Sequence, residues 1–597
     1  MTERFECGFH PFVLPFLAGM VFVLAVCFIK AAIVIRQLDK ADRAKWFRSL
    51  FHPKLIVKNM IDIILDCLIH VRLWKRNLLL GFMHSSIAFG WFMIILLGHI
   101  EVLLYFPGRL STFYYPIFFD YFIDGGQHTV ISKVMDLFLL LIIAGIILAV
   151  VKRFCSRLFG MKRTARPTLF NLIGLYSLWA IFPLRLIAEQ AARSGNLSVT
   201  PWWAYSIALC AFMAVLPFTR YLHIPAEMLL VTMRNAGIGI SHPHRGMARV
   251  QADSCPNCGV CIDACPMNAD SANLKDSTVY LTRQLRRGND ARVKEISDKC
   301  LLCGKCTSVC QVGVDGPRLR ILSRASREYN ISPDFSRVEI ESVEMVDAQG
   351  KILYFSGCMS QLTPSIGLSV ESILKKSGVR YEWLDRDGGL CCGRPLYIAG
   401  RLKEAAQLRK RNEDLISRSH AHTLLVSCPI CYREFSERYK LNGVKVSYYS
   451  DYFCKMLDRG LFELEKGDTC YVYHDPCELG RGCGIYETPR RLIAKAGTIA
   501  EAPKNREGSI CCGGSLGSLS LDFAHREKIT KASLENLYAS RADAIATSCP
   551  LCLATFSRYS DRPVRDLSQI IDQQMRVQQC FPGGSPGQYS DRQYSSI

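Results

Sequence analysis

Cys358, Cys391-Cys392-Gly393 and Cys428-Pro429-Ile430-Cys431 are followed by Cys477, Cys511-Cys512-Gly513 and Cys549-Pro550-Leu551-Cys552. Equivalent cysteines lie 119 residues apart (358 to 477), 120 (391 to 511) and 121 (428 to 549), so the stretch 351–555 is an internal repeat in register. Each copy gathers five sulfurs from three places along the chain. Five thiolates exceed the four ligands of a zinc ion or a cubane cluster, and adjacent cysteines on one turn cannot both aim at one small tetrahedral ion without strain. A larger iron–sulfur body fits better than a pair of zinc-stabilised domains. A disulfide framework fits worse still in domains expected to face the reducing cytoplasm.

Each copy reads as an α/β unit. The runs 351–355 and 469–473 are apolar, aromatic-rich and lead to a motif cysteine, while 402–417 and 526–538 mix charge with apolar residues at helical spacing. Glycines at 357, 393, 480, 513 and 514 let the backbone approach an inorganic body closely. Arg394, Arg481 and His474 stand beside the cysteines, either steadying an anionic cluster or supplying a proton, or else as solvated charges and a strand-end histidine.

The runs Tyr354-Phe-Ser-Gly-Cys358, Ser427-Cys-Pro-Ile-Cys431, His474-Asp-Pro-Cys477-Glu-Leu-Gly-Arg481 and Cys511-Cys-Gly-Gly514, with Cys391-Cys392-Gly393, resemble the paired CCG domains of heterodisulfide reductase catalytic subunits. The resemblance implies that Cys358, Cys391, Cys392, Cys428 and Cys431 hold one non-cubane [4Fe-4S] cluster. It implies a second on Cys477, Cys511, Cys512, Cys549 and Cys552, with disulfide cleavage at such a cluster.

Upstream, Cys255-x2-Cys258-x2-Cys261-x3-Cys265-Pro266 and Cys300-x2-Cys303-x2-Cys306-x3-Cys310 are two copies of the bacterial ferredoxin signature, whose fourth cysteine ligates the other cluster. That assigns Cys255, Cys258, Cys261 and Cys310 to one [4Fe-4S] cubane, and Cys300, Cys303, Cys306 and Cys265 to the second. Gln311 replaces the usual proline. The long separation of the motifs, with 281–293, resembles the mainly helical ferredoxin domain of succinate dehydrogenase iron–sulfur subunits.

The first 230 residues are different in kind. Five runs, 11–35, 78–106, 131–151, 169–189 and 201–221, are long and apolar enough to span about 30 Å of hydrocarbon. No small-residue cleavage site follows the first, which therefore reads as an anchor. Ten lysines and arginines fall in 36–76 and six in 152–166, against Arg109 alone in 107–130 and Arg193 alone in 189–200. The positive-inside rule then puts the N-terminus outside and everything after Arg220 in the cytoplasm. The net charge of +20 belongs partly to this orientation, and no ordered basic pattern argues for nucleic acid.

Histidines in a membrane need partners or a ligand. His84, early in the second run, and His223, at the inner end of the fifth, match in depth and read as the axial pair of one b-type haem. His99, fifteen residues beyond His84 and so roughly 22 Å further out, cannot share it. It is either a ligand of a second, outer haem, with His128 as the one outer candidate partner, or a polar residue near a quinone site. Leu80-Gly-Phe-Met-His84 and Arg220-Tyr-Leu-His223-Ile-Pro225 resemble the haem b subunit of respiratory nitrate reductase and the membrane subunits accompanying heterodisulfide reductases.

The expected architecture is mixed: a five-helix membrane cytochrome b domain over 1–235, a helical ferredoxin domain over 245–330, CCG domains over 350–460 and 465–573, and a Gly-, Ser- and Gln-rich disordered tail over 574–597. The segment 233–249 reads as a connector. Cys7, Cys27, Cys67, Cys155, Cys210, Cys454, Cys470, Cys483 and Cys580 read as structural or incidental.

The order of sites describes a conductor between a lipid-soluble carrier and a cytoplasmic reaction. The expected function is a membrane-bound oxidoreductase coupling a quinone pool, menaquinone or similar, to a thiol/disulfide substrate. The alternative is a relay passing electrons from a flavoprotein, such as electron-transferring flavoprotein, to menaquinone. A redox sensor lacks a recognisable output domain.

Overall fold

Sustained apolarity turns the five runs into the helices Val13–Arg36, Leu78–Leu104, Val130–Phe154, Leu169–Arg193 and Thr200–Phe218, with mean hydropathy from 1.5 to 3.0. Each is long and apolar enough to cross a membrane. The computed structural model describes residues 9–105, 113–122, 130–161, 167–194, 198–269, 275–325 and 352–576. His128, much of the second basic loop and nearly all of the expected tail lie outside them. The chain divides into two compact units: Met1–Asp263 with Thr278–Asp290 and Val309–Asp315, and Ala264–Ser277 with Ala291–Ser308 and Gly316–Ile597.

In the first unit the helices share a core in which Phe16, Ile94, Ile142, Phe182, Trp202 and Phe212 are buried together. Small residues set the closest approach. A Cβ on Gly145 of the third helix would lie 2.1 Å from the Ser86 hydroxyl and 2.9 Å from Ile87 on the second, so only glycine lets these backbones meet.

Three boundaries differ from expectation. The α-helical part of the fifth helix ends at Val215, not at 221. Short 3-10 turns follow at Leu216–Phe218 and Arg220–Leu222, and a new helix runs His223–Asn235. Pro217 offers no backbone donor, and Thr219 is extended with its side chain accepting from the Tyr221 N–H, so the chain is re-aimed just before His223. The basic loop is largely helical, over Lys40–Leu50, Pro53–Ile63, a π-turn at Ile64–Leu68 and Val71–Trp74. The connector shrinks to the residues between Asn235 and Met247, where the helix Met247–Ser254 begins.

The second unit holds the repeat. In the first copy β1 (Ile352–Phe355), β2 (Tyr381–Trp383), β3 (Thr423–Val426) and β4 (Lys445–Tyr448) form a parallel sheet of order β2-β1-β3-β4. In the second copy β5 (Cys470–Tyr473), β6 (Thr498–Ala500), β7 (Ala544–Thr547) and β8 (Val564–Asp566) repeat it as β6-β5-β7-β8. Both central strands of the first copy, β1 and β3, are buried along their whole length, as sheets covered on two faces require. The helix Phe523–Tyr538 starts three residues earlier than its apolar spacing predicts, because Asp522 caps it by accepting from the His525 N–H at 2.7 Å.

The two copies share one core. Tyr354, Tyr448 and Tyr449 of the first are buried with Tyr473, Leu492 and Leu567 of the second. The Tyr448 hydroxyl donates to the Ser427 carbonyl at 3.3 Å and to the Ser548 carbonyl, binding the residues that precede Cys428 and Cys549. Tyr354 and Tyr473 each meet the hydroxyl of the serine in their own copy, at 2.9 and 2.6 Å. These buried rings therefore keep partners for their polar tips.

Candidate functional site

Parallel strands deliver their C-terminal ends to one edge, where loops collect functional groups. After β1 the chain reaches Gly357 and Cys358; after β3, Cys428 caps the helix Pro429–Arg438, whose first turn carries Cys431. After β7, Cys549 and Cys552 repeat that arrangement on the helix Pro550–Tyr559. Cys391-Cys392 and Cys511-Cys512 arrive on glycine-ended loops, so all ten predicted cysteines gather as two sets of five free thiols. In the first set Cys391 bonds Cys358 and Cys392, and Cys431 bonds Cys392 and Cys428. In the second, Cys511 bonds Cys477 and Cys512, Cys549 bonds Cys552, and the Cys512 and Cys552 sulfurs are 3.4 Å apart.

Gly357 shows how tightly the backbone wraps the first set. Its φ of 89° and ψ of 146° lie where essentially only glycine is comfortable, and a Cβ there would sit 2.8 Å from the Cys431 sulfur. Gly357→Ala is therefore expected to destabilise this site by about 1–3 kcal/mol through overpacking. Iron bound per chain should fall, with retention of the second set's iron; undiminished total iron would refute the cradle.

Arg394, Arg481 and His474 are not solvated. The Arg394 guanidinium, 3% exposed, bonds Glu434 at 3.3 Å and Glu478 at 3.0 Å, so it joins the residues flanking Cys431 and Cys477. Arg481 donates from Nε to the Cys303 carbonyl at 2.7 Å. His474 is buried, with a ring nitrogen within 4.8 Å of the Cys512 and Cys552 sulfurs; the first copy has Phe355 at the equivalent place.

The two ferredoxin-type loops repeat one backbone form. Asn257 and Gly259 around Cys258 have φ of 55° and 86°, and Leu302 and Gly304 around Cys303 have 55° and 73°. Left-handed pairs of this kind turn successive N–H groups inward, a concavity suited to an anionic cluster. Two such groups reach sulfur, Leu302 N–H to Cys300 at 3.3 Å and Val314 N–H to Cys310 at 3.4 Å. Burial pushes the Cys310 thiol up to about 12, so its thiolate form depends on a metal. Cys255, Cys258, Cys261 and Cys310 all belong to the first unit, and Cys265, Cys300, Cys303 and Cys306 to the second, each predicted set within one unit.

In the first unit, Cys258 packs against Leu80 and Met83 of the second apolar helix, in a cluster with Leu73, Phe159 and Val260. Beside it His84 and His223 line one cavity together with Asp66, His70, Glu227, Pro256 and Gln311. The structure thus brings together the two predicted histidines and adds His70. Its ring centre is 5.5 Å from that of His84, with a 35° tilt. The Nδ1 atoms of His223 and His70 meet the carbonyls of Arg220 at 2.7 Å and Leu68 at 3.1 Å, which leaves each Nε2 free for a ligand. Burial lowers His223 to about 4 and raises Glu227 to about 8, so at neutral pH both are uncharged. Pro256 and Gln311 belong to the first cubane motif, whose loop therefore forms part of the cavity wall. His99 has its Nδ1 tied to the Ile95 carbonyl at 2.7 Å, away from this cavity.

The sequence reading missed His70, Asp66 and Glu227. The signal available was His70 itself, fourteen residues before His84 in a segment read only for its charge.

A cysteine-rich (CCG) domain profile matches residues 352–436 and 471–557, and a 4Fe-4S dicluster domain profile matches 251–314. The chain is similar to an uncharacterized iron–sulfur protein of Methanococcus maripaludis, at 25% identity over 53% of this chain and 62% of the relative. It is also similar to the HdrD-type component of dihydromethanophenazine:CoB–CoM heterodisulfide reductase from Methanosarcina barkeri, at 24% over 38% of this chain and 59% of that one. A third relative is EtfAB:quinone oxidoreductase of Syntrophomonas wolfei, at 26% over 36% of this chain and 32% of the relative. The chain thus spans less than two thirds of the length of each. Two CCG domains behind a dicluster domain make this an iron–sulfur oxidoreductase. Within that class it is HdrD-like, and it carries five helices able to cross a membrane.

Proposed function

We propose that this chain is a membrane-bound respiratory oxidoreductase linking a quinone-type pool, menaquinone or similar, to a thiol/disulfide substrate in the cytoplasm. The observation that carries the reading is the gathering of five cysteines in each of two repeats, beside a ferredoxin-type motif. The charge asymmetry of the membrane loops supports an outer N-terminus and cytoplasmic iron–sulfur domains.

His84 and His223 would hold a haem b, the eight ferredoxin-type cysteines two [4Fe-4S] cubanes, and the ten repeat cysteines one or two non-cubane [4Fe-4S] clusters. When bound, these groups supply one-electron transfer and, at the repeat cysteines, iron for sulfur chemistry. The chain's own residues do the positioning. The Arg220 carbonyl orients the His223 imidazole, Gly357 admits the cluster-binding loop, and Asp385 holds that loop by accepting the Ser356 and Gly357 N–H groups at 2.7 and 2.6 Å. The balanced reaction is RSSR′ + 2 e⁻ + 2 H⁺ → RSH + R′SH, with quinol oxidised to quinone as the source of both electrons.

Disulfides added to oxidised or half-reduced holoprotein should change the paramagnetic spectrum of a repeat cluster beyond any change in electron count. A broad panel of thiol disulfides without such an effect would overturn the reading. The similarity to a relative named EtfAB:quinone oxidoreductase favours a second reading, a relay from a flavoprotein to quinone. In that case reduced flavoprotein reduces the clusters and then menaquinone while disulfides do nothing.

A further inference from the structure

We infer that the two five-cysteine sets have different tasks: the first repeat's set meets the sulfur substrate, and the second repeat's set is closed behind the second ferredoxin-type motif. The inference rests on the disulfide chemistry proposed above. Equivalent residues differ in their surroundings. Cys511, 2% exposed, is buried with Met267, Leu301 and Ile529, and Cys265, Cys303 and Cys477 pack against the same cluster. The Cys303 and Cys511 thiols are hydrogen-bonded. Arg481 fastens the arrangement by donating to the Cys303 carbonyl at 2.7 Å and the Ser509 carbonyl at 2.8 Å, and the Ser515 hydroxyl donates to the Leu301 carbonyl at 2.7 Å. Cys477, the one half-buried thiol of this set, thus faces the ferredoxin-type cysteines.

The first repeat is open at the same positions. Cys358 and Cys391 both keep solvent exposure, and Cys391 bonds only within its own set, to Cys358, Cys392 and the Gly393 N–H. On the turn that begins at Cys358, Leu362 is 65% exposed, and Leu368 on the next helix is 59% exposed. These aliphatic side chains suit the carbon skeleton of a small organic disulfide. His474 belongs to the buried set and Phe355 to the open one, so the histidine acts on an inner site and not on substrate. In the reaction the S–S bond of the substrate breaks beside Cys358 and Cys391. Two S–H bonds form with two protons, and two electrons come from the quinol, which becomes quinone.

The test uses holoprotein and selenocysteamine labelled with the magnetic isotope of selenium, read by hyperfine splitting of the cluster signals. Splitting should appear in the unmutated protein, survive Cys511→Ala and vanish in Cys391→Ala. Iron counts should show in each variant that the other set remains loaded. Because either variant could misfold, the unmutated protein supplies a second measurement. Its selenium-split signal should lack the fast relaxation that the reduced second cubane imposes on an adjacent cluster, and a fast-relaxing split signal would overturn the assignment. Splitting confined to the second set, or shared by both, overturns the inference alone. Splitting absent everywhere overturns the disulfide reading along with it.

Discussion

Replacing Cys303 by serine is expected to drop quinol-driven reduction of the repeat clusters to the assay background, while reduction by a soluble dye continues. Cys303 belongs to the set Cys265, Cys300, Cys303 and Cys306, and its thiol is also hydrogen-bonded to Cys511. A serine hydroxyl is a poor soft-metal ligand, so the second cubane should be lost. The backbone around it need not collapse: Arg481 reaches the Cys303 carbonyl, which serine keeps, and Ser515 holds Leu301 next to it. The dye bypasses the missing step because Cys358 and Cys391 of the first set are solvent-accessible. Paired assays with quinol and dye, together with iron per chain, decide the matter. Equal loss with both donors would make the ferredoxin region structural, with electrons travelling elsewhere.

The parts legible in the sequence were those fixed by spacing. The paired five-cysteine motifs and the two ferredoxin signatures announce their ligands because the metal demands sulfurs at set intervals. The strands 352–355 and 470–473 followed from short aromatic-rich runs ending at a cysteine. The five long helices followed from apolarity alone. What escaped depends on contacts remote in sequence. The segment 40–74 is helical because its faces pack: Trp46 donates its indole N–H to Thr232, and Asn235 bonds Asn59 and Asp62. Read for charge, it hid His70. The end of the fifth helix turned on the missing donor of Pro217. The inequivalence of the two repeats had no signature at all in their motifs. Cys391 and Cys511 occupy identical contexts, and only the docking of Leu301 and Cys303, about two hundred residues upstream, buries one and leaves the other open.

Alanine at His84 is expected to abolish the reduced b-type absorption bands while the cysteine-bound iron stays at its unmutated level, and alanine at His223 should do the same. Both side chains line one cavity with a wall built from Pro256 and Gln311, next to the first cubane motif. Burial keeps His223 neutral, and its Nδ1–H is committed to the Arg220 carbonyl, so its Nε2 lone pair is the free one. His70 is the competitor. Two imidazoles that bond one metal from opposite sides, through bonds of about 2 Å, have ring centres roughly 6 Å apart, and His70 lies 5.5 Å from His84. His70 follows the π-turn Ile64–Leu68 with a left-handed backbone at φ 55°, however, and its position depends on that strained corner, whereas His223 starts a thirteen-residue helix. His70→Ala is therefore expected to retain the bands with shifted maxima. Bands lost in His70→Ala and kept in His223→Ala would transfer the axial role to His70. Bands unchanged in all three variants would remove the haem from this cavity, and with it the route from quinol to the first cubane.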